Sequence, residues 1–465
     1  MIALTLAEIA ETLGGRLVRG EPGTFVSGAV ETDSRLVRPG GVFFALPGET
    51  TDGALFAPAA VDAGAALVVA ERELDAGAAL IVVGDGVTAL ADLARLVVAR
   101  VRAVGRLRVA AVTGSNGKTT TKNLLRAILS AEGPTVAPEG SFNNHVGAPI
   151  SMLRVTEETE YLVAEMGASH VGEIARLVGI VTPDVGIVLK VGLAHAGEFG
   201  GIDAVQRAKS EMVTDLPADA VALLHGDDPR VAAMRDLTAA RVVTFGVGAG
   251  NDVRAENVVT TARGTTFDYL ADGERHPVSL RILGEHHVTN ALAALGTARE
   301  FGVPAERAIA AIEQVARAER WRMELLEPGG GITVINDAYN ASPDSTAAAL
   351  KTLAQITTEG QRSVAVLGEM AELGEFAQEE HDRIGRLVVR LNIARLVVVG
   401  ERARHIHAAA GLEGSWDGES VFVPDMDGAY DFLRGDLRPG DVVLVKSSKS
   451  AGLRFLGDRL GGVAE

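Results

Sequence analysis

The stretch LRVAAVTGSNGKTTTKNLLRAILSAEG, residues 107–133, decides the fold. Its apolar start predicts a buried strand that ends at Thr113, and the segment from Lys118 predicts a helix. The turn between them consists of Gly114, Ser115, Asn116 and Gly117. A strand that turns into a helix in this way directs backbone amides and the helix N-terminus at one point, which favours an anion. The stretch therefore predicts a phosphate loop in an α/β domain.

Side chains of the loop extend this prediction. Lys118 can reach phosphate oxygens, the hydroxyl of Thr119 can bind Mg²⁺, and Thr120 follows on the same turn of helix. The spacing departs from the standard GxxxxGK[ST] pattern, because Val112 stands where the first glycine belongs. The alternative is a tight turn with a surface lysine, and the strand and helix on either side make it the weaker interpretation.

Similar patterns on both sides of the loop predict three α/β domains. Residues 1–105 contain short apolar strands and a helix that ends near Gly105. Residues 106–319 alternate buried strands (YLVAEMG, DVGIVLK, AVALLH, RVVTFG) with helical segments, which is typical of a doubly wound, mostly parallel sheet. Residues 320–465 repeat the alternation (ITVIND, SVAVLG, ARLVVVG, SVFVP, DVVLVK) and predict a Rossmann-like domain.

Composition limits the classes of function. The 465 residues suit roughly three domains, and 47% hydrophobic residues exclude a disordered chain. The net charge of -17 argues against nucleic acid as a partner, and the absence of cysteine excludes thiolate metal sites. The N-terminus resembles a helix capped by Thr5 and Glu8 rather than a signal peptide, and no long apolar run appears. We therefore expect a soluble cytoplasmic protein without membrane insertion.

Three further side chains are candidates for metal chemistry. Glu165 ends the strand YLVAEMG, at the edge where open α/β sheets bind ligands. His195 follows the strand DVGIVLKVG, and Lys209 lies on a short predicted helix. Taken alone, each is more often an ordinary turn, surface or solvated residue.

Ten stretches along the chain together resemble one family, the Mur ligases, which are ATP-dependent amide-forming enzymes of peptidoglycan assembly. The stretches, in order, are TGSNGKTTTK, SFNNHVGAPISML, VAEMG, LAHAGEFGG, AVQRAKSEM, GEHHVTNALAA, ERWRMELL, NDAYNASPDSTAAAL, LGEMAELG and VKSSKSAGL. The resemblance covers essentially the whole length. It implies a ligase that binds a UDP-linked substrate with the first domain, ATP with the second and the incoming amine with the third.

Within the family, NDAYNASPDSTAAAL, LGEMAELG and TDSRLVRPGGVFFALPGE resemble most the ligase that adds D-alanyl-D-alanine to UDP-N-acetylmuramoyl tripeptide. The relative that adds diaminopimelate or lysine is the nearest alternative. Its diaminopimelate-specific form carries the sequence DNPR in the C-terminal domain. This chain has no such sequence there, and the partly similar Asp228-Pro229-Arg230 lies in the central domain, so we discount it. A folylpolyglutamate synthase would lack the separate N-terminal domain.

Site residues follow from the resemblance position by position. Lys118 would bind the ATP phosphates and Thr119 one Mg²⁺, with Glu165 and His195 as further metal ligands. Lys209 matches the lysine that carries a CO₂-derived carbamate, which would help to hold a second Mg²⁺. The expected remaining ATP contacts are Gly114, Ser115, Asn116, Gly117, Thr120, Asn290, Arg322 and Asp337. The expected substrate contacts are Ser34, Arg35, Asn143, Asn144, Asn340 and Ser342.

Two residues depart from the family pattern. His287 replaces the first asparagine of GxHNxxN, and Ser447 stands where a glycine precedes Ser-Lys-Ser. Two other classes of protein fit the sequence less well. A catalytically silent binding protein of this fold would be expected to lose Lys118, Glu165 or Lys209, and a phosphate-loop kinase would need no third domain. We expect small-molecule partners and a monomer.

Overall fold

The computed structural model describes residues 1–48, 50–75, 77–193, 196–316, 319–413 and 416–463. Three sheets of five, nine and six strands follow one another along the chain, together with a two-stranded ribbon near the N-terminus. Helices lie between the strands of each large sheet, as the alternating patterns predicted. The expected α/β class is confirmed.

The first sheet is small and mixed. Its strand order is β2-β7-β6-β5-β4, in which β4 to β7 run parallel and β2 is antiparallel to β7. Thr5 and Glu8 form the predicted capping box at the start of α1. The elements of this part are β1 (Leu4–Thr5), α1 (Leu6–Thr12), β2 (Arg16–Arg19), β3 (Phe25–Val26), β4 (Val30–Glu31), β5 (Val42–Ala45), α2 (Ala57–Asp62), β6 (Leu67–Ala70), β7 (Ala79–Val82) and α3 (Gly86–Ala103).

The second sheet carries the phosphate loop. Its order is β16-β15-β14-β13-β12-β11-β8-β10-β9, and β9 to β14 with β8 run parallel. Its elements are β8 (Arg108–Thr113), α4 (Lys118–Ser130), β9 (Thr135–Val136), α5 (Gly147–Met152), β10 (Tyr161–Glu165), α6 (Glu173–Val181), β11 (Val185–Val188), α7 (Ala196–Phe199), α8 (Ile202–Thr214), β12 (Val221–His225), α9 (Pro229–Ala232), β13 (Arg241–Gly246), β14 (Val253–Thr261), β15 (Gly264–Ala271), β16 (Glu274–Leu280), α10 (His286–Glu300) and α11 (Ala305–Glu313).

The position of β8 explains where the site forms. β8 lies between β10 and β11 and is parallel to both, so the carboxyl ends of the three strands meet at one edge. The phosphate loop leaves β8 at that edge, and Glu165 ends β10 there. The side chains that point from the sheet to either face fill two apolar layers, one shared with α3 of the first part and one with α4 and α10.

The far end of this sheet departs from the expected alternation of strands and helices. β14, β15 and β16 form an antiparallel ribbon. Asp272 and Gly273 make the turn between β15 and β16, with φ angles of 53° and 83°. Aspartate and glycine are the residues that two-residue hairpin turns of this kind prefer, because both tolerate positive φ.

The third sheet has the order β17-β18-β22-β19-β20-β21, and only the β17–β18 pair is antiparallel. Ser342 caps the helix that begins at Pro343, as predicted. The elements are β17 (Glu324–Gly329), β18 (Ile332–Asn336), α12 (Pro343–Ile356), β19 (Arg362–Leu367), α13 (Ala377–Arg390), β20 (Arg395–Val399), α14 (Arg404–Leu412), β21 (Glu419–Val423), α15 (Met426–Asp436), β22 (Asp441–Lys446) and α16 (Leu453–Leu460). Within the described part of the chain, no helix combines the length and apolarity needed to cross a bilayer.

Candidate active site

The phosphate loop has the geometry that its sequence predicted. Gly117 immediately precedes α4 with φ of 89°, and a Cβ there would collide with the side-chain oxygen of Asn290. Lys118 curls back over the loop, where its Nζ donates to the carbonyl oxygen of Gly114 at 2.7 Å. Burial lowers the pKa of Lys118, while the nearby Glu165 carboxylate acts in the opposite direction. The loop thus presents an enclosed ammonium group and a helix N-terminus to one point.

Glu165 is the acidic centre of the site. Its side chain is completely buried, and Oε1 accepts hydrogen bonds from Thr119 Oγ1 at 3.2 Å and from Asn143 Nδ2 at 2.8 Å. Oε2 is buried and has no hydrogen-bond partner among the residues that the structure describes. A buried carboxylate oxygen without a partner is costly unless a cation or donor binds it. Glu165 and Thr119 therefore suit a divalent cation with oxygen ligands.

No group of three or more His, Cys, Asp or Glu that could hold a metal ion occurs within the ranges that the structure describes. His195, the histidine expected among the metal ligands, lies outside those ranges. Lys209 is not an acidic residue in its free form, so it enters such a group only if it carries a carboxylate.

Lys209 lies on α8 and is 3% exposed. Burial, together with the positive charge of Lys118, lowers the pKa of its amine to about 7. The amine lies 5.7 Å from the ring centre of Phe199. It lines a cavity of about 200 Å³ that Lys118 and Asn143 also line, so the structure brings Lys209 to the phosphate loop. At neutral pH, about half of such amines are unprotonated and nucleophilic.

A larger cleft of about 470 Å³ separates the phosphate loop from the third sheet. Arg322 reaches across it, and its Nη2 donates to Thr119 Oγ1 at 3.3 Å. Its guanidinium group lies 4.4 Å from the ring centre of Tyr339. The flanking residues Trp321 and Met323 have φ of 60° and 50°, an unfavourable conformation that costs on the order of 1–2 kcal/mol per residue. This backbone aims Arg322 at the loop.

Asp337 and Lys446 form the wall beside Arg322. Asp337 Oδ1 accepts from the backbone N–H of Met323 at 3.1 Å, and Oδ2 accepts from Lys446 Nζ at 2.6 Å. Lys446 also donates to the carbonyl oxygen of Asn340 at 3.1 Å. Since both Asp337 oxygens already have partners, its expected contact to a ribose would have to share or displace them.

Contacts between the two sides place the third sheet directly over the phosphate loop. Ser342 Oγ donates to Asn116 Oδ1 at 3.1 Å, and Lys190 forms a 3.4 Å ion pair with Asp344. The N–H of Gly197 donates to the carbonyl oxygen of Glu372, in the LGEMAELG stretch, at 3.1 Å. Such an arrangement can shield a reactive intermediate from water.

His287, the first departure from the family pattern, is 4% exposed. Burial lowers the pKa of His287 well below its usual value, and the adjacent ring of His286 lies 4.0 Å away. Its Nδ1 lies 3.2 Å from Asn290 Nδ2, an amide donor, so the neutral ring accepts there and carries its proton on Nε2. Nε2 is buried and has no hydrogen-bond partner within the ranges described above. His287 and Asn290 both line the cleft.

Ser447, the second departure, is completely buried, and its hydroxyl donates to the carbonyl oxygen of Ser448 at 3.1 Å. A Cβ added at Gly368 would lie 2.8 Å from the Cβ of Ser447. The serine therefore fits because the facing position is a glycine.

Three expected substrate residues lie away from the cleft. Ser34 and Arg35 belong to a short helical turn of the first domain, where the exposed Arg35 pairs with Asp33 at 2.6 Å. Asn144 lines the cavity of Lys209, but its Oδ1 accepts from the N–H groups of Val146 and Gly147 at the start of α5. The structure brings the other expected residues, His195 apart, to the cleft or to the cavity of Lys209.

Several residues of the site were not predicted, among them Tyr339 and Lys446 beside Arg322, and also Ser141 and Lys190. Ser141 Oγ lies 3.3 Å from Thr119 Oγ1, and Lys190 lines the cleft opposite Asp344. Lys190 could have been found, because it follows β11 at the carboxyl edge of the sheet. Ser141 is the first residue of the SFNNHVGAPISML stretch, but its contact with Thr119 depends on the path of the loop in the folded chain.

Comparison with known proteins places these residues in a family. Three family models match in order along the chain: "Mur ligase family, catalytic domain" over residues 28–104, "Mur ligase middle domain" over 112–298, and "Mur ligase, glutamate ligase domain" over 321–449. The phosphate loop, Glu165 and Lys209 all fall within the second match.

Named relatives match almost the whole length. UDP-N-acetylmuramoyl-tripeptide--D-alanyl-D-alanine ligase of Mycobacterium tuberculosis is 45% identical and covers 99% of this chain and 98% of its own. The crystal structure of MurF from Acinetobacter baumannii is 32% identical, with a TM-score of 0.89 and 99% of each chain covered. MurF ligase from Thermotoga maritima in complex with ADP is 27% identical, with a TM-score of 0.82 over 94% of this chain and 98% of that one.

Proposed function

The chain belongs to the Mur ligase family, and on this premise we propose that it joins D-alanyl-D-alanine to UDP-N-acetylmuramoyl tripeptide in peptidoglycan precursor synthesis. ATP drives the reaction and leaves as ADP and phosphate. One observation carries the proposal on the side of the structure. The buried Glu165, one of whose oxygens has no hydrogen-bond partner in the described part of the chain, faces the hydroxyl of Thr119 in the phosphate loop, and Arg322 reaches that hydroxyl from the other side of the cleft.

The first step activates the peptide acid. A carboxylate is a poor electrophile, so one of its oxygens attacks the γ-phosphorus of ATP, the bond to the bridging oxygen breaks, and ADP leaves. Negative charge on the transferring group is stabilised by cationic groups held in place beforehand. Lys118 and Arg322 are the side chains that we assign to this task, because both point at the phosphate loop.

The second step forms the amide bond. The free amine of D-alanyl-D-alanine attacks the acyl phosphate, a tetrahedral intermediate forms, and phosphate leaves with the oxygen that came from the peptide acid. The amine also loses a proton, which the departing phosphate or solvent water takes up. Water would destroy the acyl phosphate, so closure of the third domain over the loop is part of the chemistry. Ser342 and Asp344 contribute to it through their contacts with Asn116 and Lys190.

The donor set suits two magnesium ions. Thr119 and Glu165 would hold one, and Lys209, once carbamoylated, would supply oxygen ligands for the other, with His195 as the remaining expected ligand. When bound, the ions neutralise charge on the phosphate oxygens. The buried, partly unprotonated amine supports the carbamate, because CO₂ reacts only with a neutral amine. No bare ammonium at this position could ligate a cation.

We further propose the divisions 1–105, 106–319 and 320–465, with the first domain binding the UDP end through Ser34 and Arg35. Asn143, Asn144, Asn340 and Ser342 complete the substrate contacts. The protein would act as a monomer in the cytoplasm, where ATP and nucleotide-linked precursors are available. Analytical ultracentrifugation at micromolar protein concentration would test whether the protein is a monomer.

The function is tested by mixing protein, ATP, Mg²⁺ and D-alanyl-D-alanine with UDP-N-acetylmuramoyl tripeptide that carries diaminopimelate or lysine. We expect phosphate release to depend on the tripeptide and the product mass to equal one dipeptide addition. Glu165→Gln, which keeps the shape of the side chain, should abolish both. Rapid ATP hydrolysis without any tripeptide would refute the proposal. In a parallel reaction that supplies diaminopimelate and UDP-N-acetylmuramoyl dipeptide, joining of these two would refute it as well.

A further inference from the structure

Lys122 is a buried charge that the reaction does not use. It lies on α4, one turn after Lys118, and its side chain is 1% exposed. Its Nζ donates to the carbonyl oxygens of Pro138 and Gly140, both at 2.9 Å. Enclosing an ammonium group costs several kcal/mol unless polar partners replace its water. A hydrophobic residue would fill the same space at lower cost, so the ammonium group needs another explanation.

The two carbonyl groups belong to the loop of residues 137–146, which joins β9 to α5 and has no regular structure of its own. Gly140 has φ of 57°, a conformation that glycine adopts most easily, and its carbonyl oxygen faces Lys122. Lys122 therefore fixes the first half of the loop to the helix that carries the phosphate loop.

The second half of the same loop reaches the site. Ser141 meets Thr119, and Asn143 donates to the carboxylate of Glu165 at 2.8 Å. The carbonyl oxygen of Asn143 also accepts from the N–H of Gly167, just after β10, at 2.8 Å. The loop thus bridges the first turn of α4 to the end of β10.

We propose that Lys122 is a positioning residue, whose ammonium group holds the 137–146 loop so that Ser141 and Asn143 orient Thr119 and Glu165. The consequence for catalysis rests on the proposed function, whereas the consequence for the loop does not. A displacement of about 1 Å in a reacting group can cost ~10²-fold in rate. The affinity for ATP should change far less than the rate, because the backbone of the phosphate loop and the side chain of Lys118 stay in place.

The first test needs no ligand. In Lys122→Met, hydrogen exchange followed by mass spectrometry should show at least ~10-fold faster exchange in residues 139–146 and at the amide of Gly167. Exchange in the rest of α4 should stay unchanged. Lys351→Met is the matched control, because Lys351 is an exposed lysine on α12. Unchanged exchange in residues 139–146 would overturn the proposal whatever the protein catalyses.

The second test is a double-mutant cycle on kcat for ligation. If Lys122 acts through Asn143, the effects of Lys122→Met and Asn143→Ala should be strongly non-additive. Lys351→Met with Asn143→Ala should be additive. We expect kcat to fall by ~10²-fold in Lys122→Met and KM for ATP to change by less than ~3-fold. Additive effects of the first pair would remove the positioning role.

Lys122→Gln covers the case in which Lys122→Met does not fold, because its amide keeps two N–H donors. It should restore part of the slow exchange and part of kcat. Equal losses of folding stability in both variants, with normal kcat per folded molecule, would show that Lys122 serves stability alone and would contradict the proposal.

Discussion

The amine of Lys209 offers a quantitative test, because its reaction with CO₂ should follow its unusual pKa. Dialysis against CO₂-free buffer at pH 6 should remove the carbamate and with it the ligation activity. Protein is then incubated with a fixed concentration of dissolved CO₂ at pH 6, 7 or 8, and aliquots are assayed at one common pH. The initial rate of recovery should be proportional to the fraction of neutral amine.

The magnitude follows from the pKa of about 7 that burial and Lys118 impose on Lys209. The neutral fraction is then ~10% at pH 6, ~50% at pH 7 and ~90% at pH 8, a ~10-fold increase over the range. A lysine with the ordinary pKa of ~10.4 would show a ~100-fold increase over the same range, since the neutral form stays scarce throughout. The two cases differ tenfold in the ratio of recovery rates.

Carbon-13 NMR with labelled CO₂ would detect the carbamate directly. The unmodified protein should give one carbamate signal, and Lys209→Ala should lack it. Lys351→Met should recover like the unmodified protein. A ~100-fold dependence of the recovery rate would refute the proposed environment of the amine. Full ligation activity in Lys209→Ala would refute its role altogether.

Three further changes test the remaining contacts. Ser342→Ala should lower the free energy of unfolding, measured with urea, by about 1 kcal/mol because α12 loses its cap, and Asp425→Ala at α15 should do the same. Only Ser342→Ala should also lower kcat for ligation, because Ser342 contacts Asn116 across the cleft. Equal activity of the two variants would show that closure does not need this contact. Gly197→Ala should lower kcat with little effect on ATP affinity, because its Cβ would lie 2.6 Å from the backbone nitrogen of Gly374 across the closed interface, and unchanged kcat would show that closure does not need this contact. Below pH 7, Lys209→Met should raise the free energy of unfolding, because a pKa that is lower in the folded than in the unfolded chain means that the charged amine destabilises the fold. This gain should shrink as the pH rises from about 7 towards 10, where the amine becomes neutral in the folded chain. A gain that does not depend on pH would argue against the lowered pKa of Lys209.

Most of the fold follows from local patterns. Apolar runs of strand length alternate with helical periodicity over most of the chain, and the glycine turn after β8 marks the ligand edge of the central sheet. The antiparallel ribbon of β14 to β16 was not predicted, although the Asp272-Gly273 pair is a hairpin signal. The strands before this ribbon are parallel and alternate with helices, so nothing in the preceding pattern indicates that the sheet continues with antiparallel strands.

Less of the site could be predicted. Lys118, Thr119 and Glu165 come from one sheet edge, so order along the chain is enough to bring them together. The reach of Arg322 across the cleft depends on how the third domain sits on the second, which no spacing in the sequence encodes. The sequence does not single out Lys122 within TGSNGKTTTK, because burial and the partners of its ammonium group are properties of the folded chain.

The fate of the carboxylate oxygen shows whether ATP activates the tripeptide through an acyl phosphate. UDP-N-acetylmuramoyl tripeptide labelled with oxygen-18 in the reacting carboxylate is incubated with protein, ATP, Mg²⁺ and D-alanyl-D-alanine, and the released phosphate is analysed by mass spectrometry. Transfer through an acyl phosphate predicts one labelled oxygen in each phosphate and one dipeptide added for each ATP consumed. Unlabelled phosphate, or labelled phosphate without the amide product, would refute amide formation through an acyl phosphate.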